Sequence, residues 1–250
     1  MANIKLDKTK NGMALGTKPK CSICGDTGIK RVYNSDGSYT ECACDCFYEQ
    51  MKAEKLQRNL EKAGFNGLFK DKDFSNYLTE NSYQANLKAK CKDFINQDKA
   101  IALCLLGNVG CGKTHLAVSV LKELAKKGRE VKAIGYVELT RQLSGNAMDL
   151  EAYNRIMSNI KNVQVLLIDD LFKAKASEAN LRQIYEIINY RYSNQKATIV
   201  TSEYNMADLT NVDEAIATRL VEMADREFVL NITRIGNHRY QGMTRQTGSY

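Results

Sequence analysis

Hydrophobic residues fall along this chain in two alternating patterns. The first is a short, largely apolar run, seen at residues 101–106, 131–134, 163–168, 197–202 and 228–232. Runs of this length predict strands covered on both faces, the condition of strands in a parallel sheet. The second pattern repeats every three or four residues. Leu116, Ala117, Val120, Leu121 and Leu124 form one such stripe, and Leu150, Tyr153, Ile156, Met157 and Ile160 a second. Leu181, Ile184, Tyr185 and Ile188 form a third; Ile216, Leu220 and Met223, within 208–224, form a fourth. These predict helices with one buried face. Gly128 supplies a stop after the first helix, and Ser177 a cap before the third. Buried strands alternating with one-faced helices predict an α/β fold on a five-stranded parallel sheet.

Ahead of this region the pattern changes. Residues 1–20 are polar, lysine-rich and contain the only proline, Pro19, and are expected to form a flexible arm. Five of the eight cysteines follow, at 21, 24, 42, 44 and 46, with Asp36-Gly37 marking the turn of a hairpin between 31–33 and 39–40. A C-x-x-C and a C-x-C joined by a hairpin can close a tetrahedral zinc site, and in so short a segment the metal would supply folding free energy. The favoured ligands are Cys21, Cys24, Cys42 and Cys44, since Cys46 can already belong to the next helix; the alternative set replaces Cys42 with Cys46. Residues 47–64 read as a charged linker helix ended by Gly64, leaving 65–250 as one domain. That domain opens on an irregular aromatic stretch with Phe65, Phe69, Phe74 and Tyr77, expected along its edge. A helix through Tyr83, Leu87, Cys91 and Phe94 comes next. Cys91, Cys104 and Cys111 are expected to serve packing rather than metal binding.

The chemistry concentrates at the ends of the strands. The run 101–106 leads into Gly107-Asn108-Val109-Gly110-Cys111-Gly112-Lys113-Thr114, a G-x-x-x-x-G-K-T sequence followed by the first helix. In this strand–loop–helix context the glycines let backbone N–H groups converge on phosphate oxygens, Lys113 reaches the terminal phosphates and Thr114 holds Mg²⁺. ATP with Mg²⁺ is the expected cofactor, and one ring of the 65–80 stretch is a candidate to flank its base. The run 163–168 ends in Asp169-Asp170. Asp169 is placed to bind Mg²⁺ through water, and Asp170 to polarise an attacking water as general base. The run 197–202 ends in Thr201-Ser202, polar groups at the strand end that faces ligand in a parallel sheet.

Composition changes this picture only at the margins. Hydrophobic content of 44% suffices for a core, and the net charge of +7 permits contact with nucleic acid without requiring it. No apolar run is long enough to cross a membrane, and the first residues lack a signal peptide's apolar segment. Many cysteines without an export signal point to a reducing, cytoplasmic location.

Together, residues 105–117, Leu166-Leu167-Ile168-Asp169-Asp170-Leu171, Ile187-Ile188-Asn189-Tyr190-Arg191-Tyr192 and 198–202 resemble the DnaC/DnaI-type replicative helicase loaders. These are AAA+ ATPases related to the initiator DnaA and to the IstB transposition helpers. The cysteine cluster is similar to the zinc-binding region of bacteriophage and Gram-positive members. The resemblance implies that 107–114 is Walker A, Asp169-Asp170 Walker B and Thr201-Ser202 sensor 1, with Glu203 where many members carry asparagine. It also implies that Arg219 is an arginine finger completing a neighbouring subunit's site. Only 18 residues follow Ile232, too few for the helical lid of a full AAA+ module, and Arg239 resembles a terminal basic residue of this branch.

The function implied is ATP-dependent loading of a hexameric replicative helicase. The zinc region would contact the helicase, the core would bind ATP and single-stranded DNA, and the ATP state would self-associate. Slow, switch-like hydrolysis would reset it. Two other readings are an IstB-like helper of DNA transposition, and a zinc-based adaptor using ATP structurally. The cysteine set weighs against the first, and the intact acid pair against the second.

Overall fold

A computed structural model describes residues 20–64 and 69–232, apart from the side chain of Lys55. Residues 1–19 of the expected arm, Phe65, Arg239 and the segment after Ile232 on which the lid expectation rested lie outside the described residues. The chain divides into two compact units, at Asn59–Leu60.

In the first unit, β1 (Ile29–Tyr33) and β2 (Tyr39–Ala43) form an antiparallel hairpin with Tyr33 opposite Tyr39. Gly37, at φ +85°, takes the left-handed position of the turn, and Asn34 N–H donates to the Ser38 carbonyl at 2.8 Å. The chain leaves the sheet after Ala43 and enters α1 (Asp45–Lys62), so the cysteine-rich stretch straddles a strand-to-helix corner.

The second unit is a three-layer α/β domain. Its strands are β3 (Ala102–Gly107), β4 (Val131–Gly135), β5 (Val165–Asp169), β6 (Ala197–Ser202) and β7 (Val229–Ile232). They form one parallel sheet in the order β4-β5-β6-β3-β7. Every residue of β3 and β5 is buried, as expected for strands covered on both faces. The β3, β5 and β6 C-terminal ends lie side by side, which brings the phosphate-loop sequence, the acid pair and Thr201-Ser202 to one rim.

The helices are α2 (Ser82–Asn96), α3 (Lys113–Lys126), α4 (Tyr136–Gly145), α5 (Leu150–Asn162), α6 (Glu178–Ser193), α7 (Met206–Val212) and α8 (Glu214–Met223). Side-chain caps start most of them: Asn81, Asp149, Ser177, Asn205 and Asp213 each accept a first-turn N–H. Helix α3 begins instead at Gly112, left-handed at φ +93° and without a side-chain cap. Two helices differ from the sequence expectation. Helix α4 was not expected, although Tyr136, Leu139, Thr140 and Leu143 bury one face; it follows β4 directly, with no loop or cap to announce it. Within 208–224 the expected helix through Ile216, Leu220 and Met223 is α8, which Asp213, extended at φ −161°, starts by accepting the Ile216 N–H; the short α7 before it was not expected.

Arg191 ties the layers together. It is fully buried. Its guanidinium donates to the carbonyls of Ile160, Lys161 and Val163 at 3.0 Å each, to the Ala197 carbonyl at 2.5 Å and to Thr198 Oγ1 at 2.9 Å. The C-terminal carbonyls of α5 are thereby capped from α6, with a positive charge at the negative end of the helix dipole. Burial pushes the Arg191 pKa down to about 10, which leaves it charged at neutral pH.

Candidate functional site

The loop between β3 and α3 is built on two glycines at which a side chain would be strained. Gly107 sits at φ +138°, and a Cβ there would run into the Ile232 carbonyl of the neighbouring strand β7. A Cβ on Gly112 would come within 3.0 Å of the Tyr77 ring. Tyr77 packs edge-on against His115, with centroids 5.3 Å apart, and His115 Nε2 lies 2.8 Å from the Asp73 carbonyl and 2.9 Å from Asn76 Oδ1. The aromatic stretch is thus bound to the first turn of α3. Tyr77 is only 7% exposed and supports the loop, leaving little ring face to stack on a base; Phe74 is buried as well.

Lys113 is 5% exposed, and its ammonium donates to the Gly107 and Asn108 carbonyls at 2.7 and 2.8 Å. Asn108 and Val109 form the exposed tip of the loop, while Cys111 is buried beneath it. Burial raises the Cys111 pKa, and pushes Cys91 and Cys104 up to about 12, so these are packing thiols without nucleophilic character.

A short hydrogen-bond chain joins the three strand ends. Thr114 Oγ1 donates to Asp169 Oδ1 at 2.9 Å, and Thr201 Oγ1 donates to the same oxygen at 2.7 Å. Thr201 Oγ1 in turn accepts the Asp170 N–H at 2.8 Å. Asp169 is buried, and burial raises its pKa; the Asp170 charge adds to this, while the Thr201 and Thr114 hydroxyls and Lys113 oppose it. A hydroxyl and a buried carboxylate at this separation are hard oxygen donors suited to Mg²⁺, whose charge would relieve the burial penalty on Asp169.

Thr201 and Ser202 part company here. Adjacent strand residues point to opposite faces. Thr201 turns to the acids, whereas Ser202, fully buried, donates to the Leu171 carbonyl at 2.8 Å and braces the loop after β5. Ser202, expected at the nucleotide together with Thr201, makes no hydrogen bond to the acid pair among the described residues. Asp170 stands at φ +55°, partly exposed, with Oδ2 2.7 Å from Lys173 Nζ. Lys173 also reaches Glu203 Oε1, at 3.3 Å.

Arg219 lies on α8 away from this chain. Its Nε donates to Asn189 Oδ1 at 2.8 Å, Nη1 to the Ala215 carbonyl at 2.9 Å and Nη2 to the Tyr185 hydroxyl at 3.2 Å. The guanidinium also faces the Tyr185 and Tyr192 rings, at 4.9 and 5.8 Å. Among the described residues it makes no hydrogen bond to the phosphate loop or to the acid pair.

In the first unit, the sulfurs of Cys21, Cys24, Cys44 and Cys46 all lie within 4.8 Å of one another. Cys21 and Cys44 are 3.8 Å apart, and Cys24 and Cys46 3.3 Å. Tetrahedral sulfurs about 2.3 Å from a zinc ion stand roughly 3.8 Å apart, so the four thiols fit that ion. The expected ligand set is corrected at one position. Cys42 lies within β2, opposite Lys30, with its Sγ 3.7 Å from the Lys30 carbonyl and outside the cluster. Cys44 has left the sheet and Cys46 is in the first turn of α1, so both face the Cys21-x-x-Cys24 turn. Asp26 Oδ1 holds that turn by accepting the Cys21 N–H at 2.8 Å. Burial would raise the Cys24 thiol, but hydrogen bonds from Cys46, Gly28, Cys21 and Cys44 outweigh it and bring the pKa down to about 6.

Sequence reasoning missed Lys173, Glu203's ion pair, and the roles of Tyr77 and Arg191. Lys173 carried a weak signal, a lysine three residues after the second acid. The others depend on contacts across the fold. Among the described residues no helix is long and apolar enough to cross a membrane.

Comparison with known proteins places this geometry. The phage-like element PBSX protein XkdC of Bacillus subtilis (strain 168) is 32% identical over 240 residues, covering 89% of this chain and 87% of that protein. The replicative helicase loader DnaC of Escherichia coli (strain K12) is 26% identical over 164 residues, 64% of this chain and 67% of that protein. A crystal structure of the DnaC helicase loader superposes with a TM-score of 0.55 at 26% identity, covering 68% of this chain and all (100%) of that one. The family model described as IstB-like ATP binding protein matches residues 44–237, a span that includes the phosphate loop, the acid pair and the five strands described above, so the chain belongs to the IstB-like ATP-binding family.

Proposed function

We propose that this protein is an ATP-dependent loader of a replicative DNA helicase. The observation that carries the ATP-binding part is the Thr114–Asp169–Thr201–Asp170 hydrogen-bond chain, which couples the phosphate loop to the ends of β5 and β6. The converging N–H groups of 107–114 and the start of α3 bind the phosphates, and Lys113 neutralises the terminal ones. Thr114 and Asp169 would hold Mg²⁺, whose positive charge would offset that of the phosphates. Asp170 accepts the proton of the attacking water.

The loader assignment is supported by similarity to proteins named as helicase loaders. Arg219 acts on the nucleotide of a neighbouring copy, which makes hydrolysis depend on self-association in the ATP state. Held by Asn189 and Tyr185, it is restrained on the surface of α6 and α8 rather than free. Single-stranded DNA binds the assembled cores through basic and aromatic side chains. Cys21, Cys24, Cys44 and Cys46 bind zinc, and the unit they stabilise contacts the hexameric helicase.

The test is affinity capture from the source cells with ATP present. Recovery of a replicative helicase, lost when residues 1–59 are deleted, supports the loader. A second reading, an IstB-like helper of DNA transposition, is favoured by the family model; recovery of a transposase instead would establish it.

A further inference from the structure

We propose that Lys173 restrains Asp170, and that Glu203 competes for Lys173 and so meters the release of Asp170 for hydrolysis. The inference rests on the reading of Asp170 as the base.

The backbone after β5 is fixed at several points. Asp170 N–H donates to Thr201 Oγ1 and Leu171 N–H to the Thr201 carbonyl, both at 2.8 Å, while Ser202 Oγ donates to the Leu171 carbonyl at 2.8 Å. These bonds hold Asp170 and Phe172 in left-handed conformations, φ +55° and +60°, that cost free energy for residues other than glycine. What stays free is rotation of the Asp170 side chain. Lys173 N–H closes a turn on the Asp170 carbonyl at 3.0 Å, and this brings its side chain back beside the carboxylate.

Lys173 Nζ lies 2.7 Å from Asp170 Oδ2 and 3.3 Å from Glu203 Oε1, and all three side chains are partly exposed, at 44%, 28% and 33%. An ammonium bound to one carboxylate oxygen holds the plane of the group and occupies lone pairs that would otherwise accept from water. Asp170 can turn its Oδ2 edge to a water once Lys173 lets go. Glu203 offers the departing ammonium a second anion, so the exchange never leaves the charge unpaired. The shorter contact places the resting balance on the Asp170 side. An asparagine at 203, where Glu203 stands, would carry no charge with which to compete.

The test uses the full chain and compares Lys173→Met, Lys173→Arg, Glu203→Gln and the double variant Lys173→Met/Glu203→Gln. The measurements are single-turnover ATP hydrolysis and the Kd of a fluorescent ATP analogue. Glu203→Gln should slow hydrolysis, and Lys173→Met should speed it, each by roughly two- to fivefold, the range an exposed ion pair supports. Kd should stay unchanged in both. Lys173→Arg keeps the charge and should remain near wild type. Glu203→Gln should have no effect once Lys173 is methionine, and added salt should speed the wild type but not Lys173→Met. Equal effects of Glu203→Gln in both backgrounds, or a Lys173→Met rate as low as that of Asp170→Asn, would overturn the proposal. Hydrolysis that survives Asp170→Asn would overturn the assignment of the base, and this inference with it.

Discussion

Thr201→Val tests the coupling between the strand ends. The substitution keeps the shape of the side chain and removes one oxygen, and that oxygen serves two partners. It donates to Asp169 Oδ1 at 2.7 Å and accepts the Asp170 N–H at 2.8 Å, in a residue that is fully buried. The first bond has a charged acceptor and is worth about 1.5–3 kcal/mol, and the second, beside a partly exposed residue, adds about 1 kcal/mol. A loss of about 2–4 kcal/mol should lower Tm by roughly 5–15 °C for a domain of this size.

The pH dependence carries the sign. Burial already raises the Asp169 pKa, and the Thr201 hydroxyl is the largest opposing influence. Without it the carboxyl should hold its proton to higher pH. A group with a raised acid pKa binds more protons folded than unfolded, so its stability contribution falls as pH rises through that window. The variant should therefore be weakest relative to wild type at neutral pH and recover toward acid. Mg²⁺ competes with the same proton, so the pH below which Mg²⁺-dependent ATP binding is lost should move up. Thermal melts from pH 5 to 8, with Mg²⁺ titrations of fluorescent ATP-analogue binding, measure both effects, and Thr201→Ser serves as the hydroxyl-retaining control. A Thr201→Val protein within about 0.5 kcal/mol of wild type, with unchanged Mg²⁺ dependence, would refute the coupling.

Lys113→Ala should weaken ATP binding, whereas Asp170→Asn should keep binding and lose hydrolysis; equilibrium binding and phosphate release separate the two. Metal analysis should find about one zinc per chain, lost in Cys24→Ser and Cys46→Ser but retained in Cys42→Ser. Arg219→Ala should bind ATP normally alone, lose DNA- or helicase-stimulated hydrolysis, and recover part of it when mixed with Asp170→Asn, since each chain then supplies the half-site the other lacks. Arg191→Met strands several buried carbonyls and should cost about 3 kcal/mol in urea unfolding while sparing ATP affinity in the folded protein.

The sheet was legible because largely apolar runs and three-and-four periodicity are local signals, and each run at 101–106, 131–134, 163–168, 197–202 and 228–232 overlaps a strand. Helix α4 escaped notice because a helix that follows its strand directly leaves no loop or cap to mark it. Helix α7 escaped as well, being only seven residues long with Leu209 as its one buried residue.

By itself, the sequence determined the α/β architecture, the phosphate loop and which acids end a buried strand, since each depends on residues adjacent in the chain. It also determined that the clustered cysteines could meet across a hairpin. Only the tertiary structure decided that Cys46 rather than Cys42 completes the thiol cluster, because that turns on where β2 yields to α1. It likewise decided that Thr201 and Ser202 serve opposite faces, that Arg191 caps α5 from α6, and that Lys173 stands between Asp170 and Glu203. Spacing along a chain states which groups can meet. Which of them do meet is settled by strand direction, register and the corners where elements end, and those arise only once the sheet has assembled.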